Sequence, residues 1–369
     1  MSRSKLIGFG AATILLLSAC GGAPTSGSGG SDKETKAEAV YAEVGPLTGD
    51  ARHDRLVELA EEEGNALSIY TSLNAEVLDT LVPIFEKETG IKVKAYRAES
   101  STVLQRVLQE SSANFAGADV VESNSREMVA IAGEGLFGDY ESDQRAKVNK
   151  DFQQDLWTPS RLNIFAPAWN TDKVKGDLIP KTWADLADPK YDGILSLELG
   201  DFDWYMALYG YFQDEGMEDK DIDKLFKDMV EGSKVASGHS GQTELLSAGE
   251  FAVVASPFTY LTAQARNSGA PVDDQPFVEP IIVRANGAGL TKSSKHPAAA
   301  MLFMDWYLSD GQALLLKEDL TPSIMPDGSD PLEGLTTISV DSQQLIDEGD
   351  EWSKRYAEVL RGGEQLPKS

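Results

Sequence analysis

Apolar and polar positions along this chain switch repeatedly between a period of two and a period of 3.6, which predicts short strands alternating with helices. Residues 67–71, Leu-Ser-Ile-Tyr-Thr, are β-branched and aromatic enough to read as a strand. Asn74 then opens a helix over 75–88, with Leu78, Leu81, Val82 and Phe85 on one face. Gly90 closes it as a C-terminal cap residue, and residues 91–96 alternate as a half-buried strand. Ser100 and Ser101 start a second helix carrying Val103, Leu104, Val107 and Leu108. A third strand at 118–121 leads through Ser123, Asn124 and Ser125 into a helix that ends at Gly133.

The second half repeats the style. Strands are expected at 163–169, 194–197, 235–237 and 251–255. Helices are expected at 183–186, from Asp201 through Met206 and Tyr209, around Phe226 and Met229, after Ser240 through Leu246, and at 258–266, 298–308 and 312–317. This order implies an α/β chain with open, mostly parallel sheets, whose ligands lie beyond the carboxyl ends of the strands. Strands repeatedly end in polar, helix-opening loops, at 72–74, 100–101, 123–125, 201–203 and 240–243. Helix starts carry unsatisfied amides and partial positive charge, so several that converge would form an oxyanion cleft, although each alone also suits ordinary capping.

The N-terminus changes the setting. Arg3 and Lys5, an apolar run at 6–17 and Leu-Ser-Ala before Cys20 form a secretory signal peptide over 1–19, with an apolar stretch too short to span a bilayer. The Leu-Ser-Ala-Cys ending resembles the lipobox of bacterial lipoproteins, which implies cleavage before Cys20 and lipid on that residue. Cys20 is the only cysteine, so no intrachain disulfide forms. The Gly-, Ser-, Ala- and Pro-rich stretch at 21–31 cannot bury apolar surface, and residues 20–50 are expected as lipidated Cys and flexible tether. The protein is thus expected to be extracytoplasmic and lipid-anchored to the cell membrane, on its outer face or periplasmic side.

Composition bounds the body. With 41% hydrophobic and 25% charged residues, the chain can bury the cores of two domains. Its net charge of −27 becomes −29 once Arg3 and Lys5 leave with the signal, which excludes nucleic acid as a partner.

Several motifs occur in a fixed order: Ile69-Tyr70-Thr71-Ser72, Phe85 through Val93, Ala118-Asp119-Val120, Trp169-Asn170-Thr171, Pro180 through Leu186 with Asp188-Pro189-Lys190-Tyr191, Ser247-Ala248-Gly249-Glu250 and His296 through Ala300. Together they resemble the family 1 solute-binding proteins of bacterial ABC importers, in the branch of ferric-iron, phosphonate, sugar-phosphate and polyamine binders. The resemblance implies a two-lobed periplasmic-binding-protein fold, type II-like, with a hinge between lobes that close on ligand. Lobe 1 is then expected at 51–160 plus about 285–330, lobe 2 at 161–284, and a C-terminal helical segment at 331–369. It also implies a monomeric, non-enzymatic receptor that hands a small ligand to an ABC permease.

In the ferric branch, a histidine, a glutamate and a tyrosine pair hold the metal. Those positions fall on Asn74, Asn124, Thr259 and Tyr260, so only the second tyrosine is kept. Tyr70, Tyr205 and Tyr209 are candidates to rebuild a tyrosine-rich site, and Tyr260 with Tyr205 is the expected metal set. A ferric ion, chelated or held with a synergistic anion, is the ligand this resemblance favours, as cargo and not as a resident cofactor.

The alternative is a small oxyanion-bearing organic solute or a polyamine. Helix-start amides and the hydroxyls of Ser100, Ser101, Ser125, Ser240 and Thr243 would hold it. Trp204 and Tyr205 would stack on it, Arg97 or Arg126 would pair with it, and Asp201 and His239 would touch it. A third class, a lipid-anchored hydrolase using Asp201, Asp203 and His239, stays open, without a phosphate-binding lysine loop or a Gly-x-Ser-x-Gly elbow to support it.

Overall fold

The computed structural model describes residues 35–366 except Pro331. The expected signal peptide, Cys20 and the stretch at 21–31 lie outside the described residues. Two helices come first, α1 (Lys36–Val44) and α2 (Gly49–Glu62). They are followed by β1 (Ala66–Thr71), α3 (Ala75–Thr89), β2 (Lys92–Arg97), α4 (Ser100–Ser112), β3 (Val120–Asn124) and α5 (Ser125–Gly133). The middle holds β4 (Thr158–Phe165), β5 (Ala168–Asn170), β6 (Leu195–Glu198), α6 (Phe202–Asp214), α7 (Asp219–Val230), β7 (Lys234–Ala236), α8 (His239–Ala248), β8 (Val253–Val254), α9 (Thr259–Asn267) and β9 (Val272–Asp273). The remainder is β10 (Ile281–Leu290), α10 (Pro297–Tyr307), α11 (Asp310–Lys317), β11 (Thr321–Pro322), β12 (Thr337–Ser339), α12 (Ser342–Val359) and β13 (Glu364–Gln365).

These strands form two mixed sheets. The first runs β11-β4-β10-β3-β1-β2 with β12 beside β10, and the second runs β13-β7-β6-β8-β5-β9. The β1–β2 and β1–β3 pairs are parallel, as the strand–helix alternation requires, but β10 runs antiparallel between β3 and β4. The chain passes between the sheets three times, from β4 to β5, from β9 to β10, and from β12 through α12 to β13.

Each lobe has its own core. Phe85, Phe303, Trp306 and Tyr307 fill one face of the first sheet, and Val121, Met128, Phe137 and Val283 fill the other. Trp183, Trp204, Tyr205, Tyr209 and Phe226 build the core of the second lobe, which reaches α12 through Tyr356. No helix among the described residues is long and apolar enough to cross a membrane.

Local expectations hold where the signal is local. Gly90 caps α3 with φ 76°, a left-handed conformation that suits glycine. The tether expected up to residue 50 is a different case: α1 is helical from Lys36, buries Val40, Tyr41 and Val44, and starts with a capping box between Thr35 and Glu38. The expected strand at 163–169 is two strands, broken at Ala166-Pro167 as the chain leaves one sheet for the other.

Asp119 ties the first lobe together. One carboxylate oxygen accepts from the amides of Lys295 and His296 and the hydroxyl of Ser294, and the other accepts from the Ser68 amide and meets the His296 ring at 2.8 Å. Glu63 accepts from the Ala298 and Ala299 amides, satisfying donors at the start of α10 that the helix itself cannot.

Candidate functional site

Five helix starts converge on one cleft between the sheets, with a volume of 780 Å³. Asn74 comes from the start of α3, Ser100 and Ser101 from α4, Asn124 from α5, Asp201 from α6, and His239 and Ser240 from α8. Tyr260 in the first turn of α9 completes the wall. Asn74, Asn124 and Asp201 each occupy an N-cap position, yet none makes a side-chain capping bond to its own helix. Ordinary capping therefore does not account for them, and Asp201 instead bonds His239 and Ser256 while Asn74 bonds Tyr260.

Two arginines lie in the cleft wall that the helix-opening loops do not reveal. Arg161 on β4 is 5% exposed. Its Nε donates to Glu122 at 3.2 Å and its guanidinium donates to Asn163 at 2.8 Å. Arg284 on β10 is 9% exposed and donates to Asp203 at 2.6 Å, with its guanidinium over the rings of Phe165 and Phe258. The Nε of Arg284 is buried without any hydrogen-bond partner. Burial works against the Arg284 charge, but Asp203, Asp201 and Glu127 outweigh it and raise its pKa.

The second lobe supplies a carboxylate–imidazole cluster. Glu198, Asp201 and His239 place their ligand-type atoms within 4.8 Å of one another. His239 Nε2 meets Asp201 at 3.0 Å, and the other Asp201 oxygen accepts from the Ser256 hydroxyl at 2.6 Å. Glu198 accepts from the backbone amides of Gly200 and Gly238. Burial would lower the His239 pKa, yet Asp201 at contact, with Glu198 beside it, holds it above the ordinary imidazole value. Burial and the neighbouring Asp201 charge push Glu198 upward. Burial also raises the Tyr260 phenol, against the pull of Arg161, Asn74 and Arg284 beside it.

Several expected site residues lie elsewhere. Trp204 and Tyr205 are fully buried in the second lobe's core, where Tyr205 packs on Phe226 and Tyr356, so neither stacks on a ligand and Tyr205 cannot reach a metal in the cleft. Their place on the inward face of α6 is the ordinary fate of an aromatic stripe at helical spacing. Tyr209 pairs with Arg355 of α12. Tyr70 is buried against Tyr96 and donates to Glu110, outside the cleft lining. Ser125 is buried with its hydroxyl unpartnered outside the lining, and Thr243 turns its hydroxyl back to the carbonyl of His239. Arg126 is exposed over the Phe202 ring, whereas Arg97 does line the cleft. Of the hydrolase set, Asp201 and His239 meet, but Asp203 is committed to Arg284.

Two α/β lobes facing each other across a polar cleft of converging helix starts define a periplasmic-binding-protein fold. The chain belongs to the bacterial extracellular solute-binding protein family, whose model matches residues 64–314. It is 23% identical over 318 residues to the Fe(3+)-binding periplasmic protein of Serratia marcescens, covering 82% of this chain and 91% of that relative. Among solved structures it is similar to iron-bound HitA from Pseudomonas aeruginosa, with TM-score 0.66 and 19% identity over 80% of this chain and 99% of that one. It is equally similar to AfuA from Actinobacillus pleuropneumoniae with fructose-6-phosphate bound, with TM-score 0.66 and 21% identity over 80% and 98% of the two chains.

Proposed function

We propose that this protein is the lipid-anchored receptor of an ABC importer and that its cleft captures a small organic solute through an oxyanion. One observation carries the ligand class: a buried guanidinium in the cleft wall, held by Asp203 and two aromatic rings, keeps an unpartnered Nε. A buried donor left unsatisfied costs about 1–3 kcal/mol, which an incoming carboxylate or phosphoryl oxygen would recover. Asn74, Ser100, Asn124 and Ser240 supply the surrounding polar contacts. Titrating the purified protein with solutes extracted from its own cells tests this. A bound molecule with no acidic oxygen would overturn it.

Ferric cargo is the second reading, favoured by the Glu198–Asp201–His239 cluster and by Tyr260 in the same cleft. A ferric ion entering with its chelating anion would place the anion at Arg284 and find hard oxygen donors opposite. Ferric citrate should then produce a visible phenolate-to-iron band that disappears in Tyr260→Phe. No band and no thermal stabilisation would leave the organic solute alone.

Cys20 fits the receptor role by keeping the loaded protein near its permease and raising its effective concentration there. Cys20→Ala is expected to leave ligand affinity unchanged while releasing the protein from membranes, as fractionation of cells would show. Retention in the membrane fraction would contradict the anchor.

A further inference from the structure

We propose that the solute is an amino-carboxylate zwitterion, with its carboxylate at Arg284 and Arg161 and its ammonium group at Glu198 and Asp201. The proposal rests on the oxyanion reading above and adds a charge requirement to it. Every arginine lining the cleft already has a carboxylate of its own: Arg284 has Asp203 at 2.6 Å, Arg161 has Glu122 at 3.2 Å and Arg97 has Glu99 at 3.5 Å. The arginines therefore offer directed donors, including the orphaned Nε of Arg284, but no surplus positive charge.

The opposite wall is unbalanced. Glu198 and Asp201 share a single imidazole, that of His239, and no lysine lines the cleft among the described residues. That wall therefore sets two carboxylates against one imidazole. An inorganic dianion would add to that surplus, and a bare amine would leave Arg284 Nε unsatisfied. A zwitterion meets both demands.

The two ends are also close together. The His239 ring packs tilted against Phe258 with ring centroids 3.8 Å apart, and Arg284 lies 5.3 Å from the centroid of the same ring. Arg284 and the imidazole that Asp201 meets at 3.0 Å lie beside one aromatic ring, which suits a molecule whose two charges are separated by a few bonds, as in an amino acid, and not the spread charges of a long polyamine. Glu198 is held by the amides of Gly200 and Gly238 and so presents a fixed acceptor that needs no rearrangement.

The test is calorimetry and thermal melting of the full-length protein, stripped of solute, against four sets of probes. These are pooled common amino acids, their hydroxy-acid counterparts such as lactate for alanine, inorganic phosphate, and ferric citrate or zinc chloride. At least one amino acid should bind and raise the melting temperature, its hydroxy-acid isostere should bind about tenfold more weakly or worse, and Glu198→Gln should erase that difference. Equal binding of isosteres, or of phosphate, would overturn the zwitterion while sparing the oxyanion reading. Binding of no amino acid would overturn the zwitterion, and a native solute without an acidic oxygen would overturn the oxyanion reading as well. Metal-dependent stabilisation lost in Glu198→Gln would reassign the cluster to a metal ion. Should Glu198→Gln fail to fold, the isostere comparison on the unaltered protein decides alone.

Discussion

Replacing Arg284 with methionine is expected to weaken solute binding by about a hundredfold or more. Truncating one partner of a buried, charge-paired contact costs about 2–5 kcal/mol, and each 1.4 kcal/mol is tenfold in affinity. The substitution would also leave Asp203 buried with its cation gone, which lowers stability by a further few kcal/mol. The double variant Arg284→Met with Asp203→Asn separates these effects: it should recover much of the melting temperature and none of the affinity. Arg284→Lys keeps the charge but not the planar fork, so it should bind better than methionine yet worse than the original. Equilibrium titration of all three checks this, and wild-type affinity in Arg284→Met would contradict it.

Asp119→Ala should cause the largest loss of stability of any single change away from the cleft. It removes an acceptor for three backbone amides, one hydroxyl and one imidazole, and leaves those buried and part-buried donors without it. The carboxylate is 2% exposed, so water cannot replace it cheaply. A cost of about 3 kcal/mol or more corresponds to a fall in melting temperature of roughly 4 °C or more for a chain of this size. A melt within a degree of the parent would show that the link between β1, β3 and the start of α10 is not what holds that lobe.

What the sequence made legible follows from how local each signal is. The β1–α3–β2 unit reads directly, because Asn74, the helical apolar stripe and Gly90 act within a few residues of one another. β10 does not. Its sequence, Ile-Ile-Val-Arg-Ala-Asn-Gly-Ala-Gly-Leu, looks like a short apolar run dissolving into a loop. In the fold those glycines are where aromatic side chains of the core press closest: a Cβ at Gly287 would fall 2.5 Å from the Trp157 ring, and one at Gly289 would fall 2.7 Å from Phe137. Glycine there records close packing, not a turn, and only the tertiary partners reveal it.

The site divides the same way. Loops that open helices are visible in sequence, and Asn74, Ser100, Ser101, Asn124, Asp201, His239, Ser240 and Tyr260 do line the cleft. Whether an aromatic on α6 faces inward depends on which side of that helix the sheet and α12 cover, which is why Trp204 and Tyr205 belong to the core. Arg161 and Arg284 carried a usable signal: each is a single arginine inside an otherwise apolar or uncharged strand, and such a charge is buried only with a partner. Their partners, Glu122 and Asp203, lie 39 and 81 residues away, beyond any local pattern.

The most direct test of the central claim is calorimetry of the full-length protein with the solute released from it after purification from its own cells. One oxyanion-bearing molecule should bind per chain, with affinity lost about a hundredfold in Arg284→Met. A solute that binds the two forms equally would contradict the assignment of this cleft and its buried arginine as the point of capture.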